Sequence, residues 1–352
     1  MHMWQQYFSL SWSDIRILWR DLFICFGWIA GISYLLSGLQ DLFTDAISIG
    51  WRCYKAWHFR KRMHLNLRLL RSLEQQYIAV YMPAWDEAEI IETMVGGIVD
   101  RSEYTRYIVF VGTYPNDPAT QEAVDRFAAQ NHQVVKVITS NPGPTTKADC
   151  LNHLYQAMQV YEEQHHINFD IILMHDSEDL VHPYEMMVLN YLLPRIDAIQ
   201  MPILAMEAKH SEWVHWVYAD EFVIHHMKDI MVREFISGFV PFAGVGMGFS
   251  RRTFHILEAE YGLPIFNEGM LTEDYALGKR LHGLGLHTAF VNVILSDDRS
   301  PLVRTLGKAF AFCHELGVFS HDPATLHSTK KSLDYRYFDT RMGAEWMEKR
   351  PG

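Results

Sequence analysis

The segment MHDSEDLVHP at residues 174–183 brings Asp176, Glu178 and Asp179 into one turn, closed by Pro183, at the end of an apolar run. Asp176 and Glu178 stand two residues apart and point the same way. Their oxygens can therefore share one hard divalent cation, which in turn can hold a diphosphate. A solvated loop has the same composition, and the turn alone does not choose between the two. In LTEDYALGKRLHGLG (271–285), Thr272 is placed as an N-cap, Glu273 and Asp274 fill the first turn, and Ala276, Leu277, Arg280, Leu281 and Leu284 supply the helical stripe. Acidic residues there complement the helix dipole without further purpose. The functional alternative makes Asp274 a general base at the mouth of a cleft.

Two further segments carry candidate chemistry. SNPGPTTKADCLNHLYQAM (140–158) leads from a Pro/Gly turn into a helix with Lys147 and Asp149 at its start. Lys147 can neutralise a phosphate and Asp149 can meet a nucleoside or a metal shell, while an ordinary capped helix accounts for the same residues. The GVGMG run (Gly244, Gly246, Gly248) lacks the early strand-turn-helix setting of a dinucleotide fingerprint, so no Rossmann NAD site is expected. Its glycines suit close approach of backbone to a bulky ligand. The His165/His166 and His225/His226 pairs are adjacent and cannot face one way on a helix, which leaves Glu221 and His225 as the metal-like i, i+4 pair.

The elements that must position these residues are legible from residue 76 onward. Apolar runs at 77–82, 107–112, 134–138, 169–175 and 198–201 alternate with helical patterns, which predicts an α/β domain with a mostly parallel sheet. Each run ends in polar or turn residues, so the candidate side chains fall at the carboxyl edge, where open α/β sheets bind ligands. A helical stretch at 211–236 and the loop VPFAGVGMGFSRR follow, and residues 319–352 are polar and poorly periodic.

The formal net charge of −11 (31 Lys+Arg, 42 Asp+Glu) argues against general nucleic-acid binding. Residues 52–71 nevertheless hold seven Lys/Arg and no acid. They follow LFICFGWIAGISYLLSGL (22–39), an uncharged stretch at the lower edge of membrane-spanning length. Basic residues on that flank predict a cytoplasmic C-terminal portion. Leu42, Phe43, Ala46, Ile47, Trp51, Tyr54 and Trp57 recur at near-helical spacing, as in a helix lying in the membrane interface. Cys25, Cys53, Cys150 and Cys313 make no zinc spacing and are expected as reduced thiols. The expected organisation is an N-terminal segment with the span (1–40), an interfacial and basic segment (41–75), a catalytic domain (76–300) and a truncated or divergent tail (301–352).

In order along the chain stand VYMPAWDEAEII, VGTYPNDPAT, TKADCLN, HDSEDLVHP, VPFAGVGMGFSRR and LTEDYALGKRL. Over residues 30–290 this succession resembles the processive-type family 2 glycosyltransferases of GT-A fold, and within them the inner-membrane group of bacteriophage adsorption B proteins. The resemblance implies that Pro83, Ala84 and Glu87 lie by the nucleotide and that Thr113, Asp117, Lys147, Asp149 and Asp176 help hold a nucleotide-diphosphate sugar. It makes Asp176 and Glu178 the D-x-D equivalent for Mg²⁺ or Mn²⁺, Asp274 the catalytic base with Glu273 beside it, and Gly244, Val245 and Gly246 the acceptor side. The implied activity is inverting transfer from a UDP-sugar to a glycan or lipid-linked acceptor. Its implied setting is the bacterial inner membrane, with the domain facing the cytoplasm, in polysaccharide synthesis or with an envelope assembly partner. Three departures stand out. Gly112 and Thr113 replace paired aspartates after the second strand, D-x-E replaces D-x-D, and the Q-x-x-R-W motif is missing, since no Gln follows Gln200. The last departure motivates a rival expectation, a catalytically weak nucleotide-binding scaffold.

Overall fold

The computed structural model describes residues 11–58, 64–203, 213–270, 272–292 and 294–296. The chain divides into two units, residues 1–57 and 58–352.

The first unit is built on one helix, α1 (Trp12–His58). Ser11 and Asp14 cap its start reciprocally: the Ser11 N–H donates to Asp14 Oδ2 at 3.0 Å and the Asp14 N–H to Ser11 Oγ at 3.3 Å. No proline occurs between residues 12 and 58, so nothing interrupts the hydrogen-bond ladder. The helix consequently runs without a break through both the uncharged stretch 22–39 and the aromatic-rich residues that follow it. Trp12–Tyr54 is long and apolar enough to cross a membrane, and no residue of its most apolar stretch is buried. Phe23, Phe26, Trp28 and Leu35 are all exposed on its surface.

The second unit opens with β1 (His64–Asn66) and α2 (Leu67–Ser72), then alternates β2 (Ile78–Pro83), α3 (Ile91–Arg101), β3 (Tyr107–Thr113), α4 (Pro118–Ala128), β4 (Val134–Ile138), α5 (Lys147–His165), β5 (Ile171–Met174), α6 (Glu185–Leu192) and β6 (Ala198–Gln200). It continues through α7 (Trp213–Ile224), a π-turn (His225–Asp229), α8 (Ile230–Ser237), β7 (Met247–Ser250), α9 (Arg251–Tyr261), α10 (Glu273–Gly283), β8 (Thr288–Phe290) and β9 (Ile294–Ser296). Seven strands form one sheet in the order β4-β3-β2-β5-β7-β6-β8. Every pairing in it is parallel except those of β7, which runs antiparallel to β5 and β6. The mostly parallel α/β expectation therefore holds.

The strand side chains alternate between two cores. Ile78, Val80, Met82, Val109 and Val111 face one layer with Val95, Val124 and Leu189, while Ala79, Tyr81, Phe110 and Met174 face Leu151, Leu154, Phe254 and Leu281 on the other. Helices cover both faces, which is why the central strands read as continuous apolar runs rather than alternating ones. Leu65, Leu67 and Leu70 are buried, so part of the basic 52–71 segment supplies strand, helix and core to this unit. Arg71 is drawn into a two-pronged pair with Glu103, at 2.7 and 2.8 Å.

Connectivity fixes where a ligand can sit. The chain steps outward from β2 to β3 to β4, and α5 carries it back to β5 beside β2. At β2 and β5 the connections leave in opposite directions, which opens a crevice at the carboxyl ends of those two strands. Because β7 is antiparallel, with Met247 opposite Met174, the 240–246 loop enters β7 at this same edge.

Candidate active site

At the β2 end of the crevice, Pro83 pairs with Gly112 and the Ala84 N–H donates to the Gly112 carbonyl at 2.8 Å. Gly112 has a local reason to lack a side chain: a Cβ there would overlap the Cys150 sulfur and press on Leu154. The departure from an acidic residue at this strand end is thus matched by a buried thiol on α5. Thr113 is fully buried and its hydroxyl donates to the Val137 carbonyl at 3.2 Å, inside the sheet.

Asp117 caps α4, accepting the Thr120 N–H at 3.2 Å on Oδ1 and the Asp86 N–H at 2.8 Å on Oδ2. Burial alone would raise its carboxyl, but the hydrogen bonds from Thr120 and Asp86 outweigh it and hold it below the usual carboxylate range. The bond to Asp86 pins a non-glycine residue in the left-handed region (φ 58). The next amide, Glu87 N–H, donates to Thr120 Oγ1 at 3.0 Å. This clamp carries Glu87 toward the acidic turn, where burial and then the Glu178 charge raise its carboxyl.

The acidic turn follows β5 directly. The Asp176 N–H donates to Asp179 Oδ2 at 3.0 Å and the Asp179 N–H to the Asp176 carbonyl at 3.2 Å. Beneath it His175 is buried, with Nδ1 3.1 Å from Asp179 Oδ2 and Nε2 3.0 Å from Glu185 Oε1. Burial by itself lowers the imidazole, but the Glu185 charge and the bonds to both carboxylates win and raise it to about 10. The folded value lies above the ordinary one, so this stabilisation is complete below about pH 6.5 and is lost as pH rises toward the folded value. His175→Phe takes the charged partner from the buried Glu185 carboxylate and the partly buried Asp179 carboxylate. Its expected cost is about 3–5 kcal/mol near neutral pH. Urea unfolding midpoints at about pH 6 and about pH 9 should also lie closer together in the variant than in wild type. Equal spacing in both proteins would show that His175 carries no such charge.

Opposite the turn, Thr146 caps α5, accepting the Asp149 N–H at 3.3 Å. Lys147, the first residue of α5, pairs with Asp176 Oδ1 and donates to the Gly244 carbonyl at 2.8 Å. Asp149 is buried; its Oδ1 accepts from Asn141 at 3.2 Å, and its Oδ2 has no hydrogen-bond partner among the described residues. Further along α5, Asn152 brackets Phe266 through both backbone groups, at 2.9 and 3.0 Å, and so anchors the segment that leads into α10.

Gln200, fully buried at the end of β6, shapes the loop before β7. Its Oε1 accepts the Ala243 N–H at 2.9 Å, and its Nε2 donates to the carbonyls of Met201 at 2.8 Å and Val245 at 2.9 Å. Gly244 (φ 83) and Gly246 (φ 61) are both left-handed. A Cβ on Gly244 would stand 3.2 Å from Asp274 Oδ2 and 3.6 Å from Lys147 Nζ, so the close approach allowed here is to the protein's own charged groups. Gly278 extends the contact one turn along α10, since a Cβ there would lie 2.9 Å from the Val240 carbonyl. Asp274 and Gly278, spaced i, i+4, thus put one helix face against residues 240–244. Thr272 occupies the N-cap position of α10 but makes no side-chain capping bond. Asp274 Oδ1 accepts the Tyr275 N–H at 2.6 Å.

Asp176, Lys147, Gly244 and Asp274 therefore meet at one point of the carboxyl edge, with Glu178, Glu87 and Glu273 around it. Among the described residues no three His, Cys, Asp or Glu side chains form a ready metal cage. Glu221 lies on α7, and its i, i+4 partner His225 opens the π-turn. What the site offers instead is a surplus of negative charge. Burial and then Asp176 and Asp179 raise Glu178, while burial and the charges of Asp274 and Asp176 raise Glu273. Hard oxygen donors with that surplus fit a divalent cation whose shell is completed by phosphate and water.

Residues 75–331 match the family described as glycosyltransferase like family 2. The bacteriophage adsorption protein B of Escherichia coli strain K12 is 38% identical over 264 residues, covering 75% of this chain and 35% of that protein. The bacteriophage N4 adsorption protein B of Escherichia coli O157:H7 matches to the same extent. The chain spans about a third of the length of these curated relatives. Among solved structures, a mannosyltransferase from Pyrobaculum calidifontis in complex with GDP-Man and Mn²⁺ is similar at TM-score 0.45 and 14% identity, covering 82% of this chain and 79% of that one. The glucosyl-3-phosphoglycerate synthase of Mycobacterium tuberculosis, in complex with UDP, is similar at TM-score 0.39 and 20% identity, covering 72% of this chain and 80% of that one.

Proposed function

This chain belongs to the glycosyltransferase-like family 2, and from that premise we propose that it transfers a hexosyl group, with inversion, from a UDP-sugar to a glycan or lipid-linked acceptor. The observation that carries the reading is the meeting of a diphosphate-side pair, Asp176 and Lys147, with the Asp274 carboxylate across Gly244. Asp176 and Glu178 would hold Mg²⁺ or Mn²⁺, which when bound supplies positive charge against the leaving diphosphate. Lys147 adds a second cation to the same oxygens, and Pro83, Ala84, Glu87, Thr113, Asp117 and Asp149 frame the nucleotide side of the crevice. Asp274 takes the proton from the acceptor hydroxyl as its oxygen bonds the anomeric carbon and the bond to the diphosphate oxygen breaks. Glu273 stands beside that base, and Gly244, Val245 and Gly246 border the acceptor.

A screen of nucleotide-sugars for metal-dependent release of nucleoside diphosphate tests the reading, and the preferred sugar names the donor. The scaffold alternative, a component of an envelope assembly, draws on the missing Q-x-x-R-W motif. Tight nucleotide binding without turnover on any acceptor would favour it. For location, α1 and the basic residues after it support an inner-membrane protein with its second unit in the cytoplasm. A reporter fused after residue 75 is expected to be active only as a cytoplasmic protein; a periplasmic signal would reverse the orientation.

A further inference from the structure

The ammonium of Lys147 holds two elements at once. Asp176 belongs to the turn after β5, on the diphosphate side, and Gly244 to the loop before β7, on the acceptor side. Gln200 also anchors this stretch of the loop, binding Ala243 and Val245. Gly244 itself is fastened through its carbonyl to Lys147, with its α-carbon turned toward Asp274. Both partners of the ion pair remain reachable, with the Lys147 side chain 24% exposed and that of Asp176 34% exposed. Asp176 cannot serve an ammonium and a divalent cation equally, because the two cations repel at such short range. A bound diphosphate offers the displaced ammonium several charged acceptors nearby, each stronger than a neutral carbonyl.

We propose that Lys147 is a latch between the two sides of the site, closing the 243–246 loop onto Asp176 in the nucleotide-free protein and releasing Gly244 when a metal–diphosphate takes its place. The inference rests on the nucleotide-sugar reading above, but its first test needs no ligand.

Amide hydrogen exchange is measured on the full chain in detergent micelles, following the Ala243 N–H and the peptides that span 240–247. Without ligand, Lys147→Met is expected to exchange faster than wild type in this loop by roughly tenfold, the effect of losing one charge-assisted hydrogen bond. Lys147→Arg should stay close to wild type. Lys147→Gln serves the same comparison if the Met variant does not fold. With Mn²⁺ and UDP or GDP, wild-type exchange in the loop should rise toward the level of the Met variant. Identical exchange in ligand-free wild type and Lys147→Met would overturn the latch. So would a wild type that binds nucleotide by calorimetry with loop exchange unchanged or slowed, and in that case the functional reading survives. Failure of both nucleotides to bind wild type would remove the functional reading and the latch together.

Discussion

Replacing Asp274 with Asn is expected to lower kcat by roughly 10²- to 10⁴-fold while donor affinity is retained. Asn keeps the size of the side chain and can still accept the Tyr275 N–H that now meets Oδ1. It cannot take a proton. Were Asp274 only a complement to the dipole of α10, the same change would cost at most about 1 kcal/mol of stability and leave turnover nearly intact. Position separates the two roles as well. A purely dipolar carboxylate has no need of a glycine facing it, yet Oδ2 lies 3.2 Å from where a Gly244 Cβ would stand. Donor binding and single-turnover rates on wild type and variant distinguish the cases, and near-normal turnover in Asp274→Asn would refute the base.

The second large effect is expected at Asp176. Asp176→Ala removes one of the two carboxylates offered to the cation and the partner of Lys147. Metal-dependent UDP affinity should fall by about 100-fold or more, beyond the usual loss for a residue that only orients a metal ligand. The fold should survive. The side chain is a third exposed, where an ion pair contributes little to stability, and the turn is held by the Asp176 backbone amide and Asp179 rather than by the Asp176 carboxylate. Calorimetric titration with UDP, with and without Mn²⁺, measures the loss. An affinity unchanged from wild type, with an unchanged melting temperature, would take Asp176 out of the site.

The order of the motifs, the mostly parallel sheet and the placing of the acidic turn at a strand end were all legible in the sequence. Each follows from local rules: buried parallel strands are continuously apolar, and polar or turn residues end each run where the chain leaves the sheet. The unbroken α1 was legible in principle too, since no proline divides it. Tertiary structure decided what the polar side chains do. Asp117 and Thr113, which resemblance placed at the nucleotide, spend hydrogen-bonding capacity on backbone groups 31 and 24 residues away. Gln200 lies in the short apolar run 198–201, and it templates the loop 43 to 45 residues later. Neither the buried His175 bridge to Glu185 nor the fit of Gly112 over Cys150 leaves a periodic trace, because each depends on two elements meeting. Spacing along the chain reports the face on which a residue lies. Which carboxylate is used up by an amide, which is matched by a lysine and which keeps an oxygen free is settled only when strands and helices distant in sequence pack together.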